Sequence, residues 1–522
     1  MHTTPRSRPP TAVHDAPDPV PARSPVLAGE TGRGGADGPT AVASLVETAA
    51  QALAEASARR GGPVPAMTPH QVTAMVDEAL DTAPREGTDR SAEVLRHLTA
   101  VFAEGAADPS HPHCAAHLHC PPLAVAVAAD TVASALNQSM DSWDQAPAAT
   151  AMETRIIAEL AELTGYRPGR AGGVVTSGGT ESNLTALLLA RDHALAARSE
   201  LDPTRAGVAA ARGTRPRILC GRAAHFSVQR AAALLGLGED AVVTVPVDEG
   251  HRMRPEALHE CLLRMREDGD TPVAVVATAG TTDLGGIDPL ERIADLAAQH
   301  GVWLHVDAAY GGGLLFSDQL RGLLAGVERA DSVGLDLHKL GWQPVAAGIL
   351  LTRERASFAP LSRSVAYLNP TDDEEAGYPS LLGYSLRTTR RADVFKIAVT
   401  LRALGREGLG RMVDACRSLA LAAAAQVVAS PKLSLAAPPS LTTVVFRYDA
   451  GDDGDAVNAR LRRTLLEQGR AVVGRTDIDG RVWLKLTLLN PRTTPEDVAA
   501  LLEKIISAGD AEAAARNLKG AR

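Results

Sequence analysis

The chain has 522 residues, of which 45% are hydrophobic and 22% charged, values ordinary for a soluble globular protein of two or three domains. Its net charge of −9 argues against nucleic acid or an anionic membrane as a partner, and no apolar run reaches the roughly 18 residues that would span a bilayer. Residues 1–40 carry no hydrophobic segment typical of a secretory signal. Five scattered cysteines fit a reducing compartment, so we expect a cytoplasmic protein.

The N-terminal part of the chain divides into a tail and a helical segment. Residues 1–40 are rich in Pro and Gly, and we expect them to be disordered. Apolar residues at helical spacing follow and predict an N-terminal helical segment over residues 41–125. We expect the remaining chain to form a large α/β domain over residues 126–395 and a small C-terminal domain over residues 396–522.

A run of potential metal ligands lies between residues 111 and 120. It contains four histidines and two cysteines, the side chains that zinc prefers. Alternate residues of an extended segment share one face, so the six cannot all converge on one ion, and no partner CxxC or HExxH motif occurs elsewhere. We therefore expect no metal site and interpret the run as a polar loop that lines an active site.

A dense polar stretch, Asn137–Gln145, lies between two predicted helices. Apolar spacing predicts the first helix over Ala124–Leu136 and the second over Thr150–Leu163. Within the polar stretch, Asp141 and Asp144 are either helix caps or contacts to a substrate.

The segment Gly173–Leu184 reads Gly-Val-Val-Thr-Ser-Gly-Gly-Thr-Glu-Ser-Asn-Leu. A short strand meets glycines that let the backbone bend close to a ligand, and a helix is predicted to open at Thr180. Backbone N–H groups at a helix start form a cradle for a phosphate group. The alternative is a capping box, to which Thr180 and Asn183 are a poor match.

Further strands and helices alternate along the chain and predict an α/β sheet that is largely parallel. His225 and Thr282 each follow a strand directly, as does Asp307. Ligands bind beyond the carboxyl ends of strands in open α/β sheets, so these side chains point to one site. The predicted strands begin near Gly173, Arg217, Val242, Val273, Val302, Ser332 and Gly348.

Lys339 completes this arrangement, because it follows the predicted strand Ser332–Leu337. An acid and a lysine at the ends of two such strands fit a pyridoxal phosphate site, in which the lysine forms a Schiff base and the acid pairs with the pyridinium nitrogen. The chain has six lysines, and Lys339 is the one that follows a strand downstream of a strand-end acid.

The C-terminal part begins after a loosely patterned stretch. The Pro, Gly and charge density of residues 366–377 predict a mobile loop, and Tyr367 within it could donate a proton from a closing lid. Long helical patterns at Val394–Leu404 and Leu409–Val428 precede alternating strand-like segments and a closing helix.

These motifs together resemble the group II pyridoxal-phosphate-dependent amino-acid decarboxylases. The resemblance rests on Thr-Ser-Gly-Gly-Thr-Glu-Ser-Asn, Ala-His-Phe-Ser, Ala-Gly-Thr-Thr, His-Val-Asp-Ala-Ala-Tyr and His-Lys, in that order. It implies the aspartate-aminotransferase-like fold (fold type I), with a mainly parallel central sheet, an N-terminal helical extension and a small α+β C-terminal domain. It also implies a homodimer with active sites at the subunit interface.

The resemblance assigns roles to individual residues. Lys339 is the Schiff-base lysine and Asp307 the pyridinium partner, while His225 stacks on the cofactor ring. Tyr367 protonates the carbon that loses carbon dioxide. The phosphate-binding residues and those that flank the ring are Gly179, Thr180, His338, Thr282 and Ala309.

The substrate is less narrowly defined. The motifs look most like the branch that acts on 2,4-diaminobutyrate, lysine or ornithine, in specialised or siderophore-type metabolism. However, Tyr384 and Arg387 stand where a polar residue and glutamine are expected, and an added arginine would oppose a cationic substrate. A small aliphatic amino acid such as valine, or an aminotransferase reaction, remains an alternative. The residues that could contact the substrate are His117, His119, Asp141, Asp144 and Arg390.

Overall fold

The computed structural model describes residue 28 and residues 38–82, 90–198, 202–210 and 213–520. Most of the predicted tail, residues 1–40, lies outside the described residues.

Three helices form the predicted N-terminal segment. Thr68 begins the second of them with a capping box, in which its hydroxyl accepts from the Gln71 N–H and its own N–H donates to the Gln71 side chain. The first and third helices pack along each other. The three are α1 (Gly38–Arg60), α2 (Pro69–Asp81) and α3 (Arg90–Glu104).

The large domain is built on a seven-stranded sheet. The strands are β1 (Gly172–Thr176), β2 (Pro216–Gly221), β3 (Val242–Val245), β4 (Thr271–Thr278), β5 (Trp303–Ala308), β6 (Ser332–Asp336) and β7 (Gly348–Thr352). Their order is β1-β7-β6-β5-β4-β2-β3. β7 runs antiparallel to both of its neighbours, and the other six strands share one direction. The prediction of a mainly parallel sheet is confirmed.

Helices cover both faces of this sheet. Successive strand residues face opposite sides, so Val175 joins a core with α5, α9 and α10, while Val174 joins a second core with α6 and α8. Burial on both faces explains why these strands are continuous apolar runs. The helices are α4 (Ala124–Leu136), α5 (Pro147–Thr164), α6 (Gly179–Ala196), α7 (Pro203–Ala206), α8 (Ser227–Leu234), α9 (Pro255–Glu267) and α10 (Leu290–His300).

The small domain has a four-stranded antiparallel sheet of order β10-β11-β9-β8. Tyr310 joins it to the large domain, because its hydroxyl lies 2.8 Å from the Thr442 hydroxyl and 2.9 Å from that of Thr443. The helices and strands that follow β7 along the chain are α11 (Thr371–Glu375), α12 (Val394–Ala429), β8 (Leu433–Leu435), β9 (Thr443–Tyr448), α13 (Gly454–Glu467), β10 (Gly474–Ile478), β11 (Arg481–Thr487) and α14 (Pro495–Gly520).

The long helix α12 connects the two domains. It is broken at Gly405, which has a positive φ of 65° and separates the two helical stretches predicted from sequence. Ile397 packs in the core of the large domain and Val427 in that of the small domain. Among the described residues, α12 alone has the length and apolar composition to cross a membrane. A long helix that is buried in two hydrophobic cores has the same length and composition.

Candidate active site

A cavity of about 410 Å³ opens at the carboxyl edge of the large sheet, where the loops after β1, β2, β4, β5 and β6 converge. Leu118 also lines it, so the 111–120 segment reaches the site as predicted. All eight residues that the resemblance assigns to the cofactor line this cavity: Gly179, Thr180, His225, Thr282, Asp307, Ala309, His338 and Lys339.

Lys339 is held at the cavity by an acid that the sequence analysis missed. Its Nζ lies 3.1 Å from Oδ2 of Asp336, and His338 Nε2 lies 3.4 Å from the same oxygen. Burial alone would raise the pKa of Asp336, but the hydrogen bond from His338 and the charge of Lys339 outweigh it and hold the pKa below its usual value. Asp336 is therefore an anion that orients the Lys339 amine.

Asp307 lies opposite as a buried carboxylate with two fixed donors. Its Oδ2 accepts a hydrogen bond of 2.8 Å from Asn183 Nδ2, and its Oδ1 accepts one of 3.1 Å from the Ala309 N–H. The residue is only 6% exposed. Each oxygen of the Asp307 carboxylate therefore accepts one hydrogen bond, and the two bonds fix its orientation at the cavity.

A chain of buried polar groups holds Asn183 in turn. Asn183 Oδ1 lies 2.9 Å from His305 Nε2, and His305 Nδ1 lies 2.9 Å from the Ser332 hydroxyl. Burial lowers the pKa of His305 to about 4, so the ring is neutral at pH 7. An amide oxygen only accepts, so the His305 proton is on Nε2. His305 begins the His-Val-Asp-Ala-Ala-Tyr motif, but no role was predicted for it, because it reads as an ordinary residue of a buried strand.

His225 is fixed through the same asparagine. Its Nδ1 lies 2.9 Å from the Ser227 hydroxyl, and that hydroxyl accepts a hydrogen bond of 2.9 Å from Asn183 Nδ2. Burial lowers the pKa of His225, which favours a neutral ring. Asn183 thus positions both the acid and the histidine that sequence motifs had predicted.

Gly178 and Gly179, at the start of α6, form a cradle in which a larger residue would be crowded. A Cβ added to Gly178 would lie 3.0 Å from His338 Cε1, and one added to Gly179 would lie 3.0 Å from the Ala309 Cβ. Gly178 caps α6 without a side-chain hydrogen bond. The N–H groups of the first turn are therefore left without a side-chain cap at the cavity, where an anion is favoured.

Comparison with known proteins identifies this arrangement. Residues 69–449 match the family model described as the pyridoxal-dependent decarboxylase conserved domain. The chain belongs to this family. It is a pyridoxal-phosphate-dependent amino-acid decarboxylase, and the resemblance inferred from the motifs is confirmed.

Two curated relatives and one solved structure show the extent of the similarity. The L-2,4-diaminobutyrate decarboxylase of Rhizobium meliloti (strain 1021) is 48% identical over 434 residues, which cover 83% of this chain and 84% of the relative. The L-2,4-diaminobutyrate decarboxylase of Acinetobacter baumannii is 38% identical over 425 residues, 79% of this chain and 83% of the relative. A crystal structure from Vibrio parahaemolyticus superposes with a TM-score of 0.82 at 36% identity and covers 91% of this chain and 97% of that one. It is described as the glutamate decarboxylase domain of diaminobutyrate-pyruvate transaminase and L-2,4-diaminobutyrate decarboxylase.

The decarboxylase site fits pyridoxal phosphate by its donors and its shape. The uncapped glycine turn at Gly178 and Gly179 suits the phosphate, Asp307 suits the ring nitrogen and Lys339 would supply the amine for covalent attachment. When bound, the cofactor supplies an electron sink for the pair of electrons that departing carbon dioxide leaves behind.

The protein residues set the conditions for that chemistry. Asp307 would hold a proton on the ring nitrogen, and Asn183 keeps its carboxylate in place. Asp336 orients the Lys339 amine. Leu118 and Tyr310 line the cavity, and displacing water from a carboxylate beside such groups favours loss of its charge as carbon dioxide.

Replacement of Asn183 by Ala is expected to lower kcat/KM by roughly 10- to 100-fold, because a hydrogen bond to a charged group contributes about 1.5–3 kcal/mol. Steady-state kinetics would measure the loss. Asn458→Ala is the matched control, since Asn458 is a buried asparagine bonded to Tyr448 in the small domain. It is expected to lower stability while kcat/KM stays near the wild-type value. Equal kinetic losses in both variants would contradict the role of Asn183.

Tyr367 is not brought to the cavity of its own chain. Its side chain is 81% exposed, and it is absent from the described residues that line the cavity. It lies just before α11, within the predicted loop. The assignment of Tyr367 as proton donor stays a prediction.

Arg390 does not reach the substrate cavity, which corrects its proposed role as a substrate contact. Its Nη1 lies 2.9 Å from Glu153 Oε1, and both side chains are 2% exposed. The same nitrogen donates to the carbonyl of Val175 in β1. The guanidinium thus neutralises a buried acid and fastens the chain to the sheet, a contact between residues 237 positions apart in sequence.

Replacement of Arg390 by Met is expected to lower the free energy of unfolding by about 3–5 kcal/mol, because it leaves the Glu153 carboxylate buried without its partner. Chemical denaturation would measure this loss. The double variant Glu153→Met with Arg390→Met should recover much of the stability, since no buried charge then remains. A raised KM with unchanged stability in Arg390→Met would restore the role as a substrate contact.

The other predicted substrate contacts also lie outside this cavity. His117 lines a separate cavity with Arg462, and its side chain is exposed, as is that of His119. Asp141 is buried and accepts a hydrogen bond of 2.8 Å from Gln145, while Asp144 accepts one of 2.6 Å from Ser142. The assignment of these four residues as substrate contacts therefore stays a prediction. Within a single chain, none of the four is among the described residues that line the cavity.

The potential metal ligands of the 111–120 segment point to different partners. Cys120 donates to the carbonyl of His338, and His113 Nδ1 lies 3.0 Å from the Lys504 amine. Over the described residues, no three His, Cys, Asp or Glu side chains are grouped as metal ligands. The segment instead connects the active site to the small domain.

Proposed function

We propose that the enzyme decarboxylates L-2,4-diaminobutyrate. The Cα–carboxylate bond breaks, carbon dioxide leaves and a proton takes its place, which gives 1,3-diaminopropane. The observation that carries the proposal is the 48% identity to the Rhizobium meliloti L-2,4-diaminobutyrate decarboxylase over 84% of that protein. The diamine would serve specialised or siderophore-type metabolism in the cytoplasm, where the five free cysteines would remain reduced.

The charges near the site support a cationic substrate. Arg387, which the sequence analysis expected to oppose one, is paired with Glu181 at 2.9 Å, and Arg390 is paired with Glu153. Among the described residues that line the cavity there is no arginine, whereas two carboxylates are present, Asp307 and Asp336. The substrate's second ammonium group therefore meets no uncompensated guanidinium there.

The test is a panel of L-amino acids assayed for carbon dioxide and amine. 2,4-Diaminobutyrate is expected to give the highest kcat/KM among itself, ornithine, lysine, valine, glutamate and tyrosine. A preference for valine would overturn the diamino acid assignment. Formation of a keto acid without carbon dioxide would indicate an aminotransferase.

We also infer that two copies of the chain form the working enzyme. Apolar side chains are exposed on the N-terminal helices and on α4, among them Leu80 at 67%, Phe102 at 80% and Leu136 at 60%. A second copy that covers this surface would also offer a route for the exposed Tyr367 to reach a site from the neighbouring subunit.

Mixing two inactive variants tests this arrangement. Lys339→Ala and Tyr367→Phe should each be inactive or nearly so. If Tyr367 acts across the interface, a mixed dimer contains one site with Lys339 from one subunit and Tyr367 from the other. Activity should then return on unfolding and refolding the mixture. Mixed dimers without activity would place Tyr367 in the site of its own chain, and a monomer in light scattering would overturn the dimer.

A further inference from the structure

An acidic residue, Glu181, lies beside the phosphate cradle. Glu181 lies in the first turn of α6, directly after the cavity-lining Thr180. Its Oε2 accepts a hydrogen bond of 2.7 Å from the N–H of Ser177, and its side chain is 13% exposed. A lone carboxylate is favourable at a helix N-terminus, but beside a doubly charged phosphate it adds repulsion.

Arg387 compensates this charge from a distant part of the chain. Its Nε donates to Glu181 Oε1 at 2.9 Å, across 206 positions of sequence. The backbone N–H of Arg387 is itself bonded to the Ser385 hydroxyl, at 3.0 Å. The Glu181 hydrogen bond holds the guanidinium beside the residue that follows the cavity-lining Thr180.

The second carboxylate at the cradle is compensated in the same manner. Oδ2 of Asp336 would lie 3.2 Å from a Cβ on Gly179, and it is matched by Lys339 and His338. Each acidic group beside the glycine turn therefore has a basic partner. Without Arg387, the negative charge of the Glu181 carboxylate would lose its basic partner.

We propose that Arg387 is a positioning residue for pyridoxal phosphate, which neutralises Glu181 beside the phosphate cradle and fastens the segment Leu382–Arg387 to it. This role differs from a substrate contact, because the guanidinium is directed to Glu181 rather than to the amino acid. It concerns the cofactor alone and holds whichever amino acid the enzyme decarboxylates.

The test is a double-mutant cycle on cofactor affinity. Apoenzyme is titrated with pyridoxal phosphate, without any amino acid, for the wild type, Arg387→Gln, Glu181→Gln and the double variant. Arg387→Gln is expected to raise the Kd about tenfold by leaving Glu181 uncompensated, whereas the double variant should return to within about threefold of the wild type. The penalty of Arg387→Gln should shrink in high salt, because the interaction is electrostatic and partly exposed.

Two controls separate charge compensation from loss of structure. Arg391→Gln removes an arginine that pairs with Asp130 and Asp393 and should leave the Kd unchanged. Arg387→Lys keeps the positive charge, and its Kd for pyridoxal phosphate should lie between those of the wild type and Arg387→Gln. If Arg387→Gln does not fold, Arg387→Lys and the double variant still test the coupling.

Two results would overturn the proposal. These are an unchanged Kd in Arg387→Gln, or a double variant that binds as weakly as Arg387→Gln alone. A diaminobutyrate assay that fails would leave these titrations unaffected, so the substrate assignment and the role of Arg387 are tested separately.

Discussion

Replacement of Lys339 by Ala should abolish decarboxylation, with a fall in kcat of about 10⁴-fold or more, the scale seen when a covalent catalytic group is removed. The reason is that Lys339 is the lysine in the cavity, where Asp336 holds its amine at 3.1 Å. The protein should also lose the visible absorbance of covalently attached cofactor. Carbon dioxide release and the absorbance spectrum measure the two effects.

A matched lysine controls for nonspecific effects of the substitution. Lys432 forms a surface pair with Asp510, in which both side chains are nearly half exposed, and Lys432→Ala should keep full colour and turnover. If Lys339→Ala retained even a tenth of the wild-type turnover, the central assignment would be wrong.

Replacement of Asp307 by Asn is expected to lower kcat by roughly 10³-fold, comparable to removal of a preorganised electrostatic group from a catalytic site. Asp307 accepts hydrogen bonds from Asn183 and from the Ala309 N–H, so an amide in its place sets its own N–H₂ against one of these donors in either orientation. It also removes the negative charge that would keep the ring nitrogen protonated. Kinetics and the spectrum of the bound cofactor together measure the loss.

Asp331 offers the control for this change. It also accepts a backbone hydrogen bond, 2.9 Å from Leu304, but it lies just before β6, at the opposite edge of the sheet. Asp331→Asn should reduce stability moderately and leave kcat near the wild-type value. An Asp307→Asn variant with wild-type kcat would show that the ring nitrogen needs no acidic partner here.

Much of the fold could be predicted from local sequence patterns. The helix expected at Ala124–Leu136 forms with those limits, and the two helical stretches that Gly405 separates form α12. The positions of the strands could be predicted because short runs of β-branched apolar residues are typical of strands that are buried on both faces. The reversal of β7 was not specified, because strand direction depends on which neighbours pair, and a short apolar run is compatible with either direction.

The site was predictable where its chemistry is local. Gly-Gly-Thr and the His338-Lys339 pair each follow a strand, and Asp307 lies near the carboxyl end of another. The shared direction of those strands brings them together. The substrate contacts were less predictable. Asp141 was chosen because the distal ammonium group of a diamino acid needs a carboxylate, but in the folded chain it is buried and accepts a hydrogen bond from Gln145. His117 lines a separate cavity.

The sequence by itself predicted the cofactor, the class of reaction, and a lysine and an acid that both line the cavity. These predictions could be made because the residues concerned lie at or near the ends of strands, within short sequence motifs. Only the tertiary structure decided how Asn183 reaches Asp307, how Arg390 meets Glu153 and how Arg387 meets Glu181, across 124, 237 and 206 positions respectively. Such pairs depend on the packing of distant segments. The sequence alone does not distinguish an arginine that is buried in an ion pair from one that binds a substrate.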